Sequence, residues 1–571
     1  MIRILGISPG IWISSAALIE DGKVLAASTE ERFDRQKMSQ AFPERAMTYC
    51  LNEAGISLND VDCIVMPWNP GIHIQSGSLR YSKEIRWRGE YLYSIPSYIL
   101  NKFHLGQVES MEEKICFKDK TISIFFISHH LAHAANAFFL SPFNEAAILT
   151  VDGKGEHETC ILAMGNGYNI KKLKSISMPY SLGLLYGTVT EYLGFKPDSD
   201  EWKIMALASY GDRDNEYYQK MKDVISLEEN GGFELDLSYF NYYLFDKQPT
   251  MYSSKMIELL GKPREKGGNI KERHMHIAAA LQRVFEESIT HLLQDLYEQK
   301  KCRNVVLSGG GFMNSVFNGK VLDNSPFEDV FISSCPDDSG TSVGAALYIY
   351  HCKYKKDNKN HQLHNYWGPS FSNEEIKDTL DKYKVKYQYY DDIECVAAEL
   401  ITNGSLVGWF QGRMEFGQRA LGNRSILANP CIAEMKDTIN KAVKYRESFR
   451  PFAPAILEEY TEEFFEIKPG ILAPFMEKVY PIRKEKQELI PAVVHIDGSG
   501  RLQTVSKSIN ARFYKVIDEF RKLTGIPVLL NTSFNLNGEP IVCTPTDAIR
   551  TFFSCGLDYL CMGNYLVAKK G

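Results

Sequence analysis

The segment HHLAHAANAFF, which follows the apolar run TISIFFIS, holds the side chains best suited to chemistry. His129 and His133 are four apart and share one face of a short helix closed by Pro142, the spacing that lets two imidazoles reach one ion. His130 faces elsewhere. Asp152 stands where the next strand gives way to Gly153, and Asp338 stands in the loop before residues 339–347. Two imidazoles and two carboxylates suit a divalent ion such as Fe²⁺, Mn²⁺ or Zn²⁺. The plainer reading is a pair of solvated or hydrogen-bonded helix histidines, and spacing leaves both open.

A basic concentration lies further on. Residues 411–450 hold eight basic side chains (Arg413, Arg419, Arg424, Lys436, Lys441, Lys444, Arg446, Arg450) against four acidic ones (Glu415, Glu434, Asp437, Glu447). Guanidinium forks and ammonium groups are what phosphate oxygens require. Lys436 and Lys441 read instead as the solvated face of the helix AEMKDTINKAVKY. Downstream, GIPVLLNTSFNLNGEPIV carries an apolar strand into Asn531, Thr532, Ser533 and Asn535, a binding edge or an ordinary polar turn. In NVVLSGGGFMNS, Gly309, Gly310 and Gly311 would let backbone approach a phosphate, or simply join a strand to a helix.

These residues need elements to hold them. Near the N-terminus ILGISPG and SSAALIEDGKVLAAS are apolar runs around a glycine turn, and Asp21-Gly22 supplies hairpin chemistry. About 140 residues later AILTVDGKGEHETCILAMGNG repeats the arrangement, which predicts a duplicated α/β unit of the actin and sugar-kinase kind. The polar stretch HCKYKKDNKNHQLHNY marks a domain boundary: 1–352, a linker over 353–366, and 367–571. At 571 residues, two or three domains are expected. A net charge of −6 gives no general reason to bind nucleic acid or a membrane. No apolar run reaches the ~20 residues of a membrane helix. Twelve scattered cysteines without a CxxC pair fit a reducing, cytoplasmic setting.

HHLAHA, the VDG of Asp152, KIMALASYG, SGGGFMNS, the DSG of Asp338, GRMEFGQRALGNRS, NKAVKYRESFRPFAP, DGSGRLQTV and PVLLNTSFNLNGEPIVCTP occur in this order. Together they resemble the NodU/CmcH family of O-carbamoyltransferases, which includes enzymes acting on aminoglycoside and cephalosporin antibiotics. The resemblance implies a first domain like the metal- and nucleotide-binding domain of threonylcarbamoyl-adenosine tRNA-modification enzymes, and a second of YrdC-like α+β fold. It implies that carbamoyl phosphate and ATP, with Mg²⁺, give carbamoyl-adenylate, and that the hydroxyl or amine of a small-molecule acceptor then takes the carbamoyl group. His129, His133, Asp152 and Asp338 would be ligands of a divalent metal, Fe²⁺ before Mn²⁺ or Zn²⁺. Arg419, Lys444 and Arg450 would be catalytic. Arg501, Ser533, Asn535, Gly309, Gly310, Asn314 and Lys203 would bind substrate or nucleotide. A homodimer is allowed; nucleic acid and membrane partners are not expected.

The sequence departs from the family where a His-Asp pair usually follows the first glycine turn. Trp12 and Ile13 stand there, and neither can act as acid, base or ligand. Gln418 and Ser499 replace a usual proline and threonine. Three rivals follow: a sugar-kinase-type phosphotransferase, a tRNA modifier, and a repurposed homologue that binds nucleotide without transfer.

Overall fold

The structure, a computed structural model, describes residues 1–10, 12–69, 110–117, 120–229, 231–244, 249–447 and 449–569. The chain falls into two compact units. The first comprises 1–11, 15–25 and 50–362; the second comprises 12–14, 26–49 and 363–571. Among the described residues no helix is long and apolar enough to cross a membrane.

The first unit is mixed α/β. Strands β1 (Arg3–Ser8), β2 (Ser15–Glu20), β3 (Lys23–Thr29), β4 (Cys63–Met66), β5 (Ser110–Phe117) and β6 (Lys120–Ile127) form one sheet in the order β3-β2-β1-β4-β6-β5. Strands β7 (Glu145–Val151), β8 (Glu158–Asn166) and β9 (Asn169–Ser177) begin a second sheet. A separate ribbon, β10 (Ile225–Glu228) with β11 (Gly232–Leu235), precedes its remaining strands, β12 (Asn304–Ser308) and β13 (Asp329–Ile332). The second sheet runs β13-β12-β7-β8-β9.

The two orders are the same. In each, an antiparallel meander (β1-β2-β3, β7-β8-β9) continues through its first strand into two parallel strands (β4 and β6, β12 and β13). The antiparallel edge strand β5 belongs to the first sheet alone, and the hydrophobic pattern did not foretell it. The expected hairpin at Asp21-Gly22 is present, with both residues left-handed at φ 45° and 81°, as a two-residue turn between twisted strands requires.

Helix α1 (His129–Leu140) follows β6, yet packs on β7, β8 and β12 of the other sheet. The 29-residue helix α2 (Glu272–Lys300) leads into β12. Helix α3 (Thr341–Tyr348) follows β13, yet packs on β1, β2 and β4. Each half thus lends its last helix to the other, and α1 and α3 cross between the sheets. The site residues of this unit lie at that crossing.

The second unit carries strands β14 (Gln388–Tyr389), β15 (Val407–Phe410), β16 (Arg424–Ala428), β17 (Ala453–Leu457), β18 (Lys478–Pro481), β19 (Ser499–Val505), β20 (Val528–Ser533), β21 (Tyr559–Met562) and β22 (Tyr565–Ala568). They form one mixed sheet ordered β14-β22-β21-β15-β16-β20-β17-β19-β18. Helix α4 (Ala511–Thr524) sets Phe513, Val516, Ile517 and Phe520 into one apolar layer with Trp409, Leu427 and Leu529. A larger layer includes Phe410, Ile426, Ile456, Leu530 and Phe552. Arg32 and Arg35 of the N-terminal segment donate to Gly417 O, Ile541 O and Pro540 O, so residues 26–49 are tied into this unit.

Candidate metal centre and anion site

In the first unit His129, His133, Asp152 and Asp338 bring one donor atom each within 4.8 Å of one another. His129 Nε2 lies 3.3 Å from Asp152 Oδ2 and 3.4 Å from Asp338 Oδ1. His133 Nε2 lies 3.8 Å and 3.3 Å from the same atoms, and 3.1 Å from His129 Nε2.

The neighbours fix which ring nitrogens face inward. His129 Nδ1 has Pro67 O at 3.3 Å, an oxygen that only accepts, so this nitrogen carries the proton. Ser308 Oγ donates to Pro336 O at 3.3 Å, which leaves its lone pair for His133 Nδ1–H at 3.5 Å. Both Nε2 lone pairs therefore face the carboxylates. Gly310 N–H holds the other oxygen of Asp152, Oδ1, at 2.8 Å.

Burial opposes charge here, but the pairing outweighs it. The His129 imidazole is pulled down by burial, yet Asp338 and Asp152 hold it well above its ordinary value. Asp152 is pushed up by burial and drawn well below the carboxylate range by the two histidines. Two facing lone pairs 3.1 Å apart repel unless a proton or a cation lies between them. A divalent ion with four tetrahedral donors at about 2.1 Å sets them about 3.4 Å apart. Five of the spacings among these atoms, 3.1–3.8 Å, lie around that value within a set bounded at 4.8 Å, so the donor set fits a divalent ion.

His130 serves the fold. Its nitrogens engage Thr150 Oγ1 at 2.6 Å and Glu158 O at 3.0 Å, and burial pushes it down to about 3. Sequence reasoning missed Glu156. Its buried carboxylate accepts from the N–H groups of His129 (3.1 and 3.2 Å) and Asn69 (2.7 Å). It thereby caps α1, where Ser128 supplies no side-chain cap. The one available signal was an acid set in the glycine-rich turn after Asp152.

Gly309, Gly310 and Asn314 hold this architecture. A Cβ on Gly309 (φ +96°) would lie 2.3 Å from Val151 O. Asn314 exchanges amide hydrogen bonds with Gln282 and caps the short helix Ser315–Asn318. Lys203 pairs with Asp200 at 3.2 Å.

The second unit gathers cations. Lys444 ends a π-helical turn, Asn440–Lys444, which replaces the end of the expected regular helix, and Tyr445 follows with φ 44°. Its buried Nζ donates to Ser533 O (2.6 Å), Asn535 O (3.0 Å) and Asn535 Oδ1 (2.8 Å). Burial, then Arg446, Arg450 and Lys37, hold this amine well below its usual value. Arg501 on β19 is likewise held well below the guanidinium range by burial and by Arg419, Arg446 and Arg450. Arg446 is pushed down to about 9 by burial and Arg450. The like charges thus depress one another, the condition that an anion relieves.

Not every arginine of the basic run joins them. Arg424 is buried and donates to the carbonyls of Gln411, Gly412, Asn423 and Pro369. Arg413 donates to Trp367 O at 2.9 Å and Gly368 O at 3.3 Å. Lys436, expected on a solvated face, is half-buried and held below its usual value by that burial. Lys37 lies far outside the basic run, and no sequence signal placed it here.

The first unit thus carries a two-histidine, two-aspartate cluster that could hold a metal ion, and the second a buried group of cations. Family comparison specifies the class. The Carbamoyltransferase N-terminus family matches residues 3–347 and the Carbamoyltransferase C-terminus family matches residues 398–569. The chain belongs to the carbamoyltransferase family and is a transferase. An uncharacterised protein of Synechocystis sp. is 39% identical, over 100% of this chain and 97% of its own. Nodulation protein NolNO of Sinorhizobium fredii is 39% identical over 97% of this chain and 79% of its own. The 3'-hydroxymethylcephem-O-carbamoyltransferase of Amycolatopsis lactamdurans is 27% identical over 78% of this chain and 81% of its own.

Proposed function

We propose that this protein uses ATP and carbamoyl phosphate to make carbamoyl-adenylate in its second, YrdC-like unit. The first, actin/sugar-kinase-like unit then transfers the carbamoyl group to the hydroxyl or amine of a small molecule. The observation that carries this reading is a chain of buried cations in the second unit: Arg446, Arg450 and Lys37 act on Lys444, and Arg419, Arg446 and Arg450 act on Arg501, each held below its usual value by burial and these like charges. Such a site has most to gain from a phosphate-bearing substrate.

The net step joins the carbamate half of carbamoyl phosphate to AMP and releases phosphate and pyrophosphate, with one water consumed. Arg419, Arg450 and Arg501 bind phosphate oxygens and offset charge that develops on the leaving phosphates. Lys444 is oriented by Ser533 and Asn535, and Ser533 Oγ in turn donates to Asn535 Oδ1 at 2.7 Å. The buried setting of Lys444 limits hydrolysis of the adenylate.

In the first unit His129, His133, Asp152 and Asp338 would hold a divalent metal, with Fe²⁺ preferred to Mn²⁺ or Zn²⁺. When bound, the ion supplies Lewis-acid polarisation of a substrate oxygen. Trp12 and Ile13 supply no proton acceptor, so the acceptor's proton leaves by another group. The named carbamoyltransferase relative acts on a hydroxymethyl oxygen, which supports transfer to oxygen.

Exchange of labelled pyrophosphate into ATP, dependent on carbamoyl phosphate, tests the second unit. Lys444→Ala and Arg419→Ala should each lower exchange at least ~100-fold, as loss of a charge-stabilising group does. Normal exchange in both refutes these roles. His133→Ala should spare exchange and block carbamoyl transfer.

A further inference from the structure

The turn that enters β19 presents an imidazole nitrogen that the fold does not use. His495 N–H donates to Ser499 O at 2.7 Å and Gly498 N–H donates to His495 O at 3.0 Å, which closes the turn. Ser499 Oγ donates its only proton to Asp497 Oδ1 at 2.6 Å. Its contact with His495 Nδ1 at 3.1 Å is therefore received from the ring, and Nδ1 carries the hydrogen. Nε2 is left as a bare lone pair. Among the described residues this buried nitrogen has no hydrogen-bond partner. Burial, joined by Arg501 and Lys436 against Asp497, holds the ring below its ordinary value and neutral at pH 7.

Ser499 and Arg501 are two apart on β19 and so point to one face of the sheet. His495, bonded to the Ser499 side chain, lies over the face that bears Arg501. The groups that act on Arg501 are Arg419, Arg446 and Arg450, all donors, and the carboxylates beside them are engaged, Glu447 by Arg450 and Asp497 Oδ1 by Ser499. The acceptors Ser533 O and Asn535 Oδ1 are engaged by Lys444. Donors alone suit a phosphate. They do not suit a carbamoyl group, whose NH₂ delocalises its lone pair into the carbonyl and can only donate.

We propose that His495 Nε2 accepts a hydrogen bond from the carbamoyl NH₂ and is the residue by which this protein tells carbamoyl phosphate from acetyl phosphate. Acetyl phosphate has the same phosphate and carbonyl with a methyl in place of NH₂. A bare acceptor facing that methyl is left unsatisfied, which disfavours the wrong ligand more than contact shape does. The inference rests on the second unit binding carbamoyl phosphate, as proposed above.

The test is calorimetric titration of the full chain with carbamoyl phosphate, acetyl phosphate and inorganic phosphate. Wild type should bind carbamoyl phosphate ~10-fold more tightly than acetyl phosphate, the worth of one such bond. In His495→Ala the Kd for carbamoyl phosphate should rise ~10-fold to meet that for acetyl phosphate, with inorganic phosphate unchanged. His495→Gln, which keeps an acceptor oxygen, should restore part of the preference. Equal weakening of all three ligands in His495→Ala would assign the ring a purely structural role and overturn the proposal, as would an undiminished preference. Should the alanine variant fail to fold, a wild type without preference, or a folded glutamine variant without any, overturns it equally. A wild type that binds none of the three compounds removes the reading of the unit itself, whereas one that binds all three alike removes only the role of His495.

Discussion

Replacing Gly309 by alanine tests how the glycine turn holds Asp152. The new methyl would sit 2.3 Å from Val151 O and 2.7 Å from Val151 C, both backbone atoms of β7 that cannot swing aside. The residue also has φ +96°, where an L side chain costs about 1 kcal/mol. Overpacking against a fixed neighbour adds about 1–3 kcal/mol, giving a total near 3 kcal/mol. For a unit of this size that lowers Tm by about 4 °C. Relief of the clash moves the turn away from β7 and carries with it the Gly310 N–H that fixes Asp152. Losing an outer partner of a ligand weakens metal binding about 10- to 100-fold. Gly153→Ala is the control, because a Cβ there meets nothing within 4 Å. Differential scanning fluorimetry gives the Tm, and competition with a chromogenic chelator gives the affinity. A Gly309→Ala protein that matches Gly153→Ala in both would refute the reasoning.

Two further outcomes follow from the same geometry. Burial and Asp152 push the Asp338 carboxyl up, yet the His129 and His133 imidazoles draw it below its usual value, so its ionised form stabilises the fold at pH 7. Asp338→Asn should therefore lower the Tm of the metal-free protein at pH 7 and abolish the rise produced by added divalent ion. Glu201 is pushed up to about 7 by burial, reinforced by Asp198. Its folded pKa lies above its unfolded value, so the native state keeps the proton longer, and stability falls as pH rises from about 4.5 through about 7. Glu201→Gln should match wild type at pH 4.5 and exceed it at pH 8 by at most about 3 kcal/mol, read from urea midpoints.

Much of the first unit's plan can be read from two runs of letters. ILGISPG and AILTVDG each end an apolar run at a turn, because the strand that leads each meander needs that turn to reverse. The exchange of α1 and α3 between halves left no such trace, since a buried helix has apolar neighbours whichever sheet it meets. His129, His133, Asp152 and Asp338 were legible as types at suggestive positions, but convergence within 4.8 Å is a property of the fold. The basic run behaved differently. Arg413 and Arg424 look like Arg419 and Arg446 in sequence, yet Arg424 is buried and spends its donors on four backbone carbonyls, while Arg446 lies among the cations whose charges depress one another. Only packing separates an arginine that holds a loop from one that stands among like charges. Lys37 was invisible for the same reason, whereas Glu156 left only the faint signal of an acid in a glycine-rich turn.

The exchanged helices also set a timetable for synthesis. All twelve residues of α1 are buried, its three histidines and Asn136 included, so polar and apolar faces alike need partners. When it leaves the ribosome, β7 is about to follow, but β12 comes only at residues 304–308. At ordinary translation speeds that wait lasts roughly 10–30 s. Through it, this helix stays without its full berth, and the first sheet stays bare until α3 arrives. The nascent chain is therefore a natural client for chaperones, and truncation anywhere before residue 348 should yield aggregate rather than half an enzyme.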